Sequence, residues 1–91
     1  MTPEALVIEK IRGWVSAKRG KVIKVHQTSF SEIGTPDLIV MTPLTGITMV
    51  EVKAKGKLPT KIQIQRIIEI KEAGGQAFWC DSLGSFIDQL L

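Results

Sequence analysis

Two acidic side chains and one lysine stand at positions from which they could act on the same chemical group. Side chains alternate between the two faces of a β-strand, so Glu51 and Lys53 point to the same side of their strand. Asp37 lies just before another apolar strand, Leu38–Met41, and the turn residues Pro43–Gly46 favour an antiparallel hairpin between the two strands. Approximate symmetry about that turn brings Asp37 close to the Glu51 end of the hairpin.

Two carboxylates and an ammonium at one end of a hairpin are a costly arrangement unless a cation relieves the repulsion between the carboxylates. Magnesium suits such oxygen ligands and typically keeps several waters beside one or two carboxylates. The pattern therefore predicts a divalent-cation site at Asp37 and Glu51. A purely structural interpretation is also open, in which Thr35–Asp37 is an ordinary turn and Glu51 and Lys53 form the solvated face of an edge strand.

The first half of the chain supplies a helix and a strand to support this hairpin. Thr2 is a candidate N-cap and Pro3 suits the first helical position, and apolar residues then recur at helical spacing until the helix ends near Gly20. Lys21–His26 is rich in β-branched residues and predicts a strand, and a polar loop follows from Gln27 to Gly34.

The second half alternates helix and strand. Thr60 can cap a helix whose third position, Gln63, completes a capping box, and Gly74–Gly75 ends that helix. Gln76–Cys80 is apolar enough for a buried strand. Because a helix separates it from the preceding strand, a βαβ crossover would lay the two strands parallel.

A short final helix closes the chain, with Ser85 and Asp88 resembling a capping box. The element order αβββαβα predicts an α/β fold in which a mixed sheet is flanked by helices. Residues 1–91 are enough for one domain and not for two. A domain of this size buries only about 60 to 65 % of the surface its unfolded chain exposes, so burial against a second copy favours a homodimer.

Composition narrows the setting and the partners. No stretch approaches the roughly 20 apolar residues needed to cross a bilayer, and a lone Cys80 together with the absence of a secretory pattern predicts a reducing, intracellular location. Twelve Lys and Arg against nine Asp and Glu give a modest positive balance. Basic side chains crowd two segments, which predicts either a phosphate-binding surface or two solvated loops. These residues are Lys53, Lys55, Lys57 and Lys61, and Lys18, Arg19, Lys21 and Lys24.

Several of these features together resemble a known family. Pro36-Asp37, then thirteen residues, then Glu51-Val52-Lys53 resembles the PD-(D/E)XK nuclease superfamily, whose core is restriction-endonuclease-like. The run Gly34–Ile39, a Gln63 that precedes Gly74–Gly75 by eleven residues, and an early helical Glu4 look like one branch of it, the VRR-NUC (virus-type replication-repair nuclease) family. The resemblance spans nearly the whole chain.

The resemblance implies phosphodiester hydrolysis in which Asp37 and Glu51 hold Mg²⁺ or Mn²⁺, with the Val52 carbonyl as a further ligand. Lys53 would orient or activate the attacking water and offset the negative charge that develops on the phosphorane. General chemistry supports these roles, because a metal polarises a phosphoryl oxygen and lowers the pKa of bound water, and a nearby cation stabilises the transition state.

Two further residues each have a site interpretation and a structural one. Glu4 extends the inward stripe of the first helix, which favours an accessory site carboxylate, but its charge also complements the helix dipole. Gln63 suits backbone capping, and the family similarity implies a place in the site as well. Lys55, Lys57 and Lys61 would then contact phosphates, and Lys24 would line the same groove.

The resulting expectation is a metal-dependent endodeoxyribonuclease that selects branched DNA such as a Holliday junction. The resemblance points to replication or repair, in the cytoplasm of a bacterium or of a phage-infected host. A homodimer would match the two equivalent strands of a junction. The alternative is a nucleic-acid-binding subunit that keeps the fold without cleaving. A hydrolase for small phosphate esters lacks support from a Gly-rich phosphate cradle.

Overall fold

The computed structural model describes residues 1–26 and 32–91 and has the predicted order of elements. The four strands form one sheet in the order β1-β2-β3-β4, antiparallel except that β4 runs parallel to β3. The mixed fold and the parallel crossover are therefore confirmed. The first part of the predicted polar loop, residues 27–31, lies outside the described residues. The elements are α1 (Pro3–Ala17), β1 (Lys21–Lys24), β2 (Leu38–Thr42), β3 (Gly46–Val52), α2 (Lys61–Glu72), β4 (Ala77–Cys80) and α3 (Leu83–Leu90).

One face of the sheet carries the main core. α1 and α3 pack against it, and Phe86 of α3 meets Trp14 edge to face with ring centroids 5.9 Å apart. Val50 and Val52 are fully buried on this face, so strand alternation turns Glu51 and Lys53 towards the opposite face, on which Met49 and α2 lie. In the part of the chain that the structure describes, no helix is both long and apolar enough to cross a membrane.

The turn between α1 and β1 shows why a glycine stands at position 20. A Cβ built on Gly20 would lie 2.3 Å from the carbonyl oxygen of Met41 and 2.6 Å from a methyl group of Val15, so a larger residue would force the helix away from the sheet. The prediction that α1 runs to near Gly20 was slightly long, because the helix ends at Ala17 and Arg19 takes a left-handed conformation. β1 is also shorter than predicted and ends at Lys24.

The helix caps are mostly as predicted, with one correction. Thr2 accepts a hydrogen bond from the backbone N–H of Ala5, and Thr60 and Gln63 form the full capping box of α2. The predicted capping box of α3 at Ser85 and Asp88 was wrong. Ser82 is the N-cap, and its hydroxyl accepts from the Ser85 N–H at 3.0 Å.

Candidate active site

The register of the β2–β3 hairpin brings Asp37 to the end of β3. Leu38 pairs with Val50, so Asp37 lies one residue before this pair and faces Glu51, and the Val52 N–H donates to Asp37 Oδ2 at 3.2 Å. The Asp37 carbonyl accepts from the Val25 N–H at 2.7 Å, which fixes the Asp37 backbone to the chain leaving β1. The two carboxyl groups of Asp37 and Glu51 are hydrogen-bonding neighbours. The hairpin therefore places them together, as its turn predicted.

Glu51 is held where an ionised carboxylate is poorly solvated. The residue is only 2 % exposed, and Lys53 Nζ lies 3.9 Å from Oε2, at the limit of an ion pair. The pKa of Glu51 is raised to about 8, mainly by burial and then by the hydrogen bond and charge of Asp37, while Lys53 acts in the opposite direction. In the absence of metal, a pKa in this range favours the protonated form of Glu51 at neutral pH.

One oxygen of this buried carboxyl has no protein partner. Among the described residues, Glu51 Oε1 is the buried side-chain atom that no hydrogen-bond donor reaches. A buried acceptor without a partner costs about 1 to 3 kcal/mol, so native structures seldom retain one without a use for it. A cation ligated by Oε1 would satisfy this atom and relieve the repulsion of Asp37.

The donor set fits a magnesium-type cation. An extended residue directs its N–H and its carbonyl to the same edge of the strand. Because the Val52 N–H points to Asp37, the Val52 carbonyl faces the same side. The described ranges contain no cluster of three or more His, Cys, Asp or Glu side chains arranged to hold a metal. The site thus supplies two carboxylates and a main-chain oxygen, and Mg²⁺ usually completes such a set with water and substrate.

Lys53 is fixed by its backbone and retains a reachable head group. Its N–H donates to the Cys80 carbonyl at 2.9 Å, which extends the parallel pairing one residue past β3. Its side chain is 19 % exposed, so the ammonium lies at the surface beside a buried carboxyl. Such a position suits contact with an incoming anion.

Glu4 lies near the site without joining the carboxylate pair. It is half-buried in the first turn of α1, and its negative charge contributes, least of the named causes, to raising the pKa of Glu51. Glu4 belongs to no metal-binding cluster of the described residues. The link between Glu4 and Glu51 is electrostatic, so the accessory role of Glu4 in the site stays a prediction.

Gln63 is used as a cap. Its Oε1 accepts from the Thr60 N–H at 2.8 Å, and the Thr60 hydroxyl accepts from the Gln63 N–H at 3.3 Å. The structural interpretation of Gln63 is therefore confirmed. Because Oε1 is used in the cap, a role of Gln63 in the site would depend on its side-chain NH₂ group.

The predicted phosphate contacts lie around the same end of the sheet. Lys55 and Lys57 are exposed on the loop after β3, Lys61 is exposed in the first turn of α2, and Lys24 is paired with Leu38 beside Asp37. Lys24 pairs in register with Leu38, which pairs with Val50, and both partners point into the core. The side chain of Lys24 therefore leaves the sheet on the α1 face, opposite to Glu51, so the prediction that Lys24 lines the same groove was wrong.

Sequence reasoning missed Asp81, which holds the loop after β3 that carries Lys55 and Lys57. The Gly56 N–H donates to Asp81 Oδ2 at 3.1 Å, and the Lys57 N–H donates to the Ala54 carbonyl at 2.9 Å to close a tight turn. Gly56 has a φ of 82°, a conformation that favours glycine, so the turn between the two lysines is well specified. An acidic residue directly after a buried strand was the only local signal of Asp81.

Arg66 was also missed. Its Nε lies 2.9 Å from the Ile33 carbonyl and 2.9 Å from Glu32 Oε1, and its Nη1 donates to Glu69 at 2.9 Å. The Arg66–Glu69 spacing of three residues is readable from the sequence as a helix-surface pair. The contacts with the chain 33 residues earlier are not.

Comparisons with known proteins agree with this arrangement. The family model of the VRR-NUC domain matches residues 5–83. A solved structure described as a VRR_NUC domain is 27 % identical, with a TM-score of 0.82 over 97 % of this chain and 94 % of that one. A second, described as a VRR_NUC domain protein, shares the fold at 23 % identity, with a TM-score of 0.72 over 96 % of this chain and 86 % of its own. No curated protein gives a significant match to the sequence.

Proposed function

This chain belongs to the VRR-NUC domain family, a family of nucleases, and from that premise we propose that it is a divalent-metal-dependent endonuclease that hydrolyses phosphodiester bonds in branched DNA. The observation that carries the metal dependence is the buried Glu51 carboxyl, whose Oε1 lacks a partner and whose neighbour is Asp37. Lys53 lies near Oε2 and the Val52 N–H donates to Asp37, but among the described residues no donor reaches Oε1.

Asp37, Glu51 and the Val52 carbonyl would hold Mg²⁺ or Mn²⁺. Such an ion, when bound, polarises the phosphoryl oxygen and lowers the pKa of a bound water. The chain contributes positioning: Asp37 is fixed on both sides, through its carbonyl to Val25 and through Oδ2 to the Val52 N–H. The ligands are thus largely pre-arranged on two paired strands rather than on a mobile loop.

Lys53 is assigned the role of assisting the attack of water on phosphorus. Its ammonium lies 3.9 Å from Glu51 Oε2 and reaches the surface, where it can orient a water and stabilise negative charge on the phosphorane. Glu4 would adjust the charge balance of the site, and the Gln63 amide nitrogen would donate to a phosphate or to the nucleophile. Both are auxiliary to the Asp37, Glu51 and Lys53 set.

The exposed lysines Lys55, Lys57 and Lys61 would contact the DNA backbone. Phosphate contacts give affinity and orientation without sequence preference, which suits recognition of a DNA shape. We place two copies about a two-fold axis, because a Holliday junction presents two equivalent strands and one protomer offers one site. Size-exclusion chromatography with light scattering tests the dimer directly.

The decisive experiment incubates the purified protein with labelled four-way junction, flap, duplex and single-stranded DNA. Each substrate is assayed with Mg²⁺, with Mn²⁺ and with chelator. Junction cleavage that needs metal and exceeds duplex cleavage is the expected result. No metal-dependent product on any substrate would refute the proposal. Tight DNA binding in that case would favour the non-cleaving subunit instead.

A further inference from the structure

We propose that Arg66 is a positioning residue that holds the segment Glu32–Pro36 against α2 and thereby places Asp37 for cation binding. This inference rests on the proposed function, since it concerns the same carboxylate pair. Arg66 does not touch the carboxylates itself. Its effect would pass through the short stretch of chain that leads into Asp37.

The first step is that Arg66 ties two separate parts of the chain together. Its Nε donates to the Ile33 carbonyl at 2.9 Å, and Glu32 Oε1 lies at the same distance. Its Nη1 is held by Glu69 at 2.9 and 3.3 Å, one turn further along α2. The guanidinium is therefore anchored to its own helix and presents its Nε edge to the approaching chain.

The second step is that the segment Glu32–Pro36 packs closely against α2. The Thr35 N–H and hydroxyl both donate to the Glu32 carbonyl, at 3.2 and 2.6 Å, and close a turn. Gly34 has a φ of 85°, and a Cβ there would lie 3.0 Å from the Ile62 carbonyl oxygen of α2. The turn thus touches the helix through bare backbone, at a separation that Arg66 maintains.

The third step links the turn to the ligand. Pro36 is buried and directly precedes Asp37, whose carbonyl and Oδ2 are both engaged by backbone N–H groups. The ring fixes φ of Pro36, and the hydrogen-bonded turn Glu32–Thr35 restricts the torsions before it, so the segment between the Arg66 anchor and Asp37 is constrained. A displaced turn would therefore move Asp37 relative to Glu51.

Ion pairing alone does not explain the arrangement. The Glu32 and Glu69 side chains are 63 % and 44 % exposed, and pairs at such exposure contribute little to stability. The directional bond to the Ile33 carbonyl is what fixes the chain. Lysine could keep the charge at position 66, but it lacks the planar set of donors that serves the carbonyl and Glu69 together.

The test compares Arg66→Met and Arg66→Lys with Thr42→Val. Thr42 lies at the opposite end of the hairpin, where its hydroxyl accepts from the Thr45 N–H at 3.0 Å, so its substitution costs stability without touching the site. Calorimetric titration with Mn²⁺ in the absence of DNA gives metal affinity, single-turnover cleavage against Mn²⁺ concentration gives its activation, and urea unfolding gives stability.

We expect Arg66→Met to weaken Mn²⁺ binding about tenfold, the low end of the effect of losing a partner that orients a metal ligand, because Arg66 acts on Asp37 through the turn, with the cleavage rate largely restored at saturating Mn²⁺. Arg66→Lys should lie between Arg66→Met and wild type, and Thr42→Val should leave metal affinity unchanged. Unchanged Mn²⁺ affinity in both folded Arg66 variants would overturn the inference. If Arg66→Met does not fold, Arg66→Lys decides alone. A wild-type protein that binds no Mn²⁺ would instead refute the proposed function, and the inference with it.

Discussion

Replacing Glu51 with glutamine should make the metal-free protein more stable at alkaline pH while removing its cleavage activity. The pKa of Glu51 is raised from 4.5 to about 8 by burial and by Asp37. A folded-state pKa above the unfolded value means that the folded protein binds the extra proton between these two pH values. The stabilisation is therefore fully present below pH 4.5 and is lost as the pH rises through about 8.

The size of the effect follows from the same two values. One proton of difference changes the free energy of unfolding by about 1.4 kcal/mol per pH unit, so the interval between the two pKa values corresponds to at most about 5 kcal/mol. Glutamine resembles the protonated acid in shape and can donate to Asp37 through its NH₂ group. The variant should thus match wild type near pH 5 and exceed it by several kcal/mol near pH 9.

Urea unfolding of both proteins from pH 5 to pH 9, with chelator present, measures this difference. The comparison cancels the other titrating groups that the two proteins share. Adding Mn²⁺ at pH 8 should stabilise wild type and leave Glu51→Gln nearly unchanged, because only a ligand that binds the folded state shifts the equilibrium.

Two results would refute this reasoning. Parallel pH profiles for the two proteins would mean that Glu51 titrates normally and is adequately solvated. A variant that is less stable than wild type at every pH would mean that the carboxylate makes interactions that its burial and missing partner do not reveal.

Three further predictions concern the metal ligand Asp37, the lysines after β3 and the packing of α1. Asp37→Ala should abolish metal-dependent cleavage while DNA binding in a gel-shift assay is kept, and parallel loss of folding by circular dichroism would contradict this. Lys55→Ala with Lys57→Ala should weaken DNA binding and lower the salt dependence of log K by about 2, whereas Lys71→Ala at the other end of the sheet should not. Gly20→Ala should destabilise the fold by about 1 to 3 kcal/mol in urea unfolding, because its Cβ would collide with the Met41 carbonyl; an unchanged midpoint would show that α1 shifts freely.

The features that were predictable from the sequence are those decided by local chemistry. The alternation in β2 and β3 and the short turn between them fixed which face each side chain takes, so Asp37, Glu51 and Lys53 could be placed together without coordinates. The α2 cap was equally local, since Thr60 and Gln63 satisfy each other's backbone. Family resemblance then identified the chemistry that such a hairpin supports.

The features that were missed depend on choices between similar local patterns or on distant partners. Ser82 and Ser85 both precede apolar helical residues, and the structure uses Ser82 as the cap while the Ser85 hydroxyl donates to the Ser82 carbonyl. Arg66 and Asp81 act on chain segments 33 and 25 residues away in sequence. Only the packed fold determines which residues these side chains meet.

The charge balance of the site explains why a proton occupies it in the absence of metal. With both carboxyls ionised, Asp37 and Glu51 carry two negative charges against the single ammonium of Lys53. This excess of negative charge, together with burial, favours the protonated form of Glu51. In the proposed function, a divalent ion bound at the unpartnered Oε1 would compensate the pair more fully and leave the cluster one charge positive, which matches one phosphodiester. Binding of such an ion would release the Glu51 proton, so the burial that destabilises the metal-free carboxylate would also favour binding of the ion.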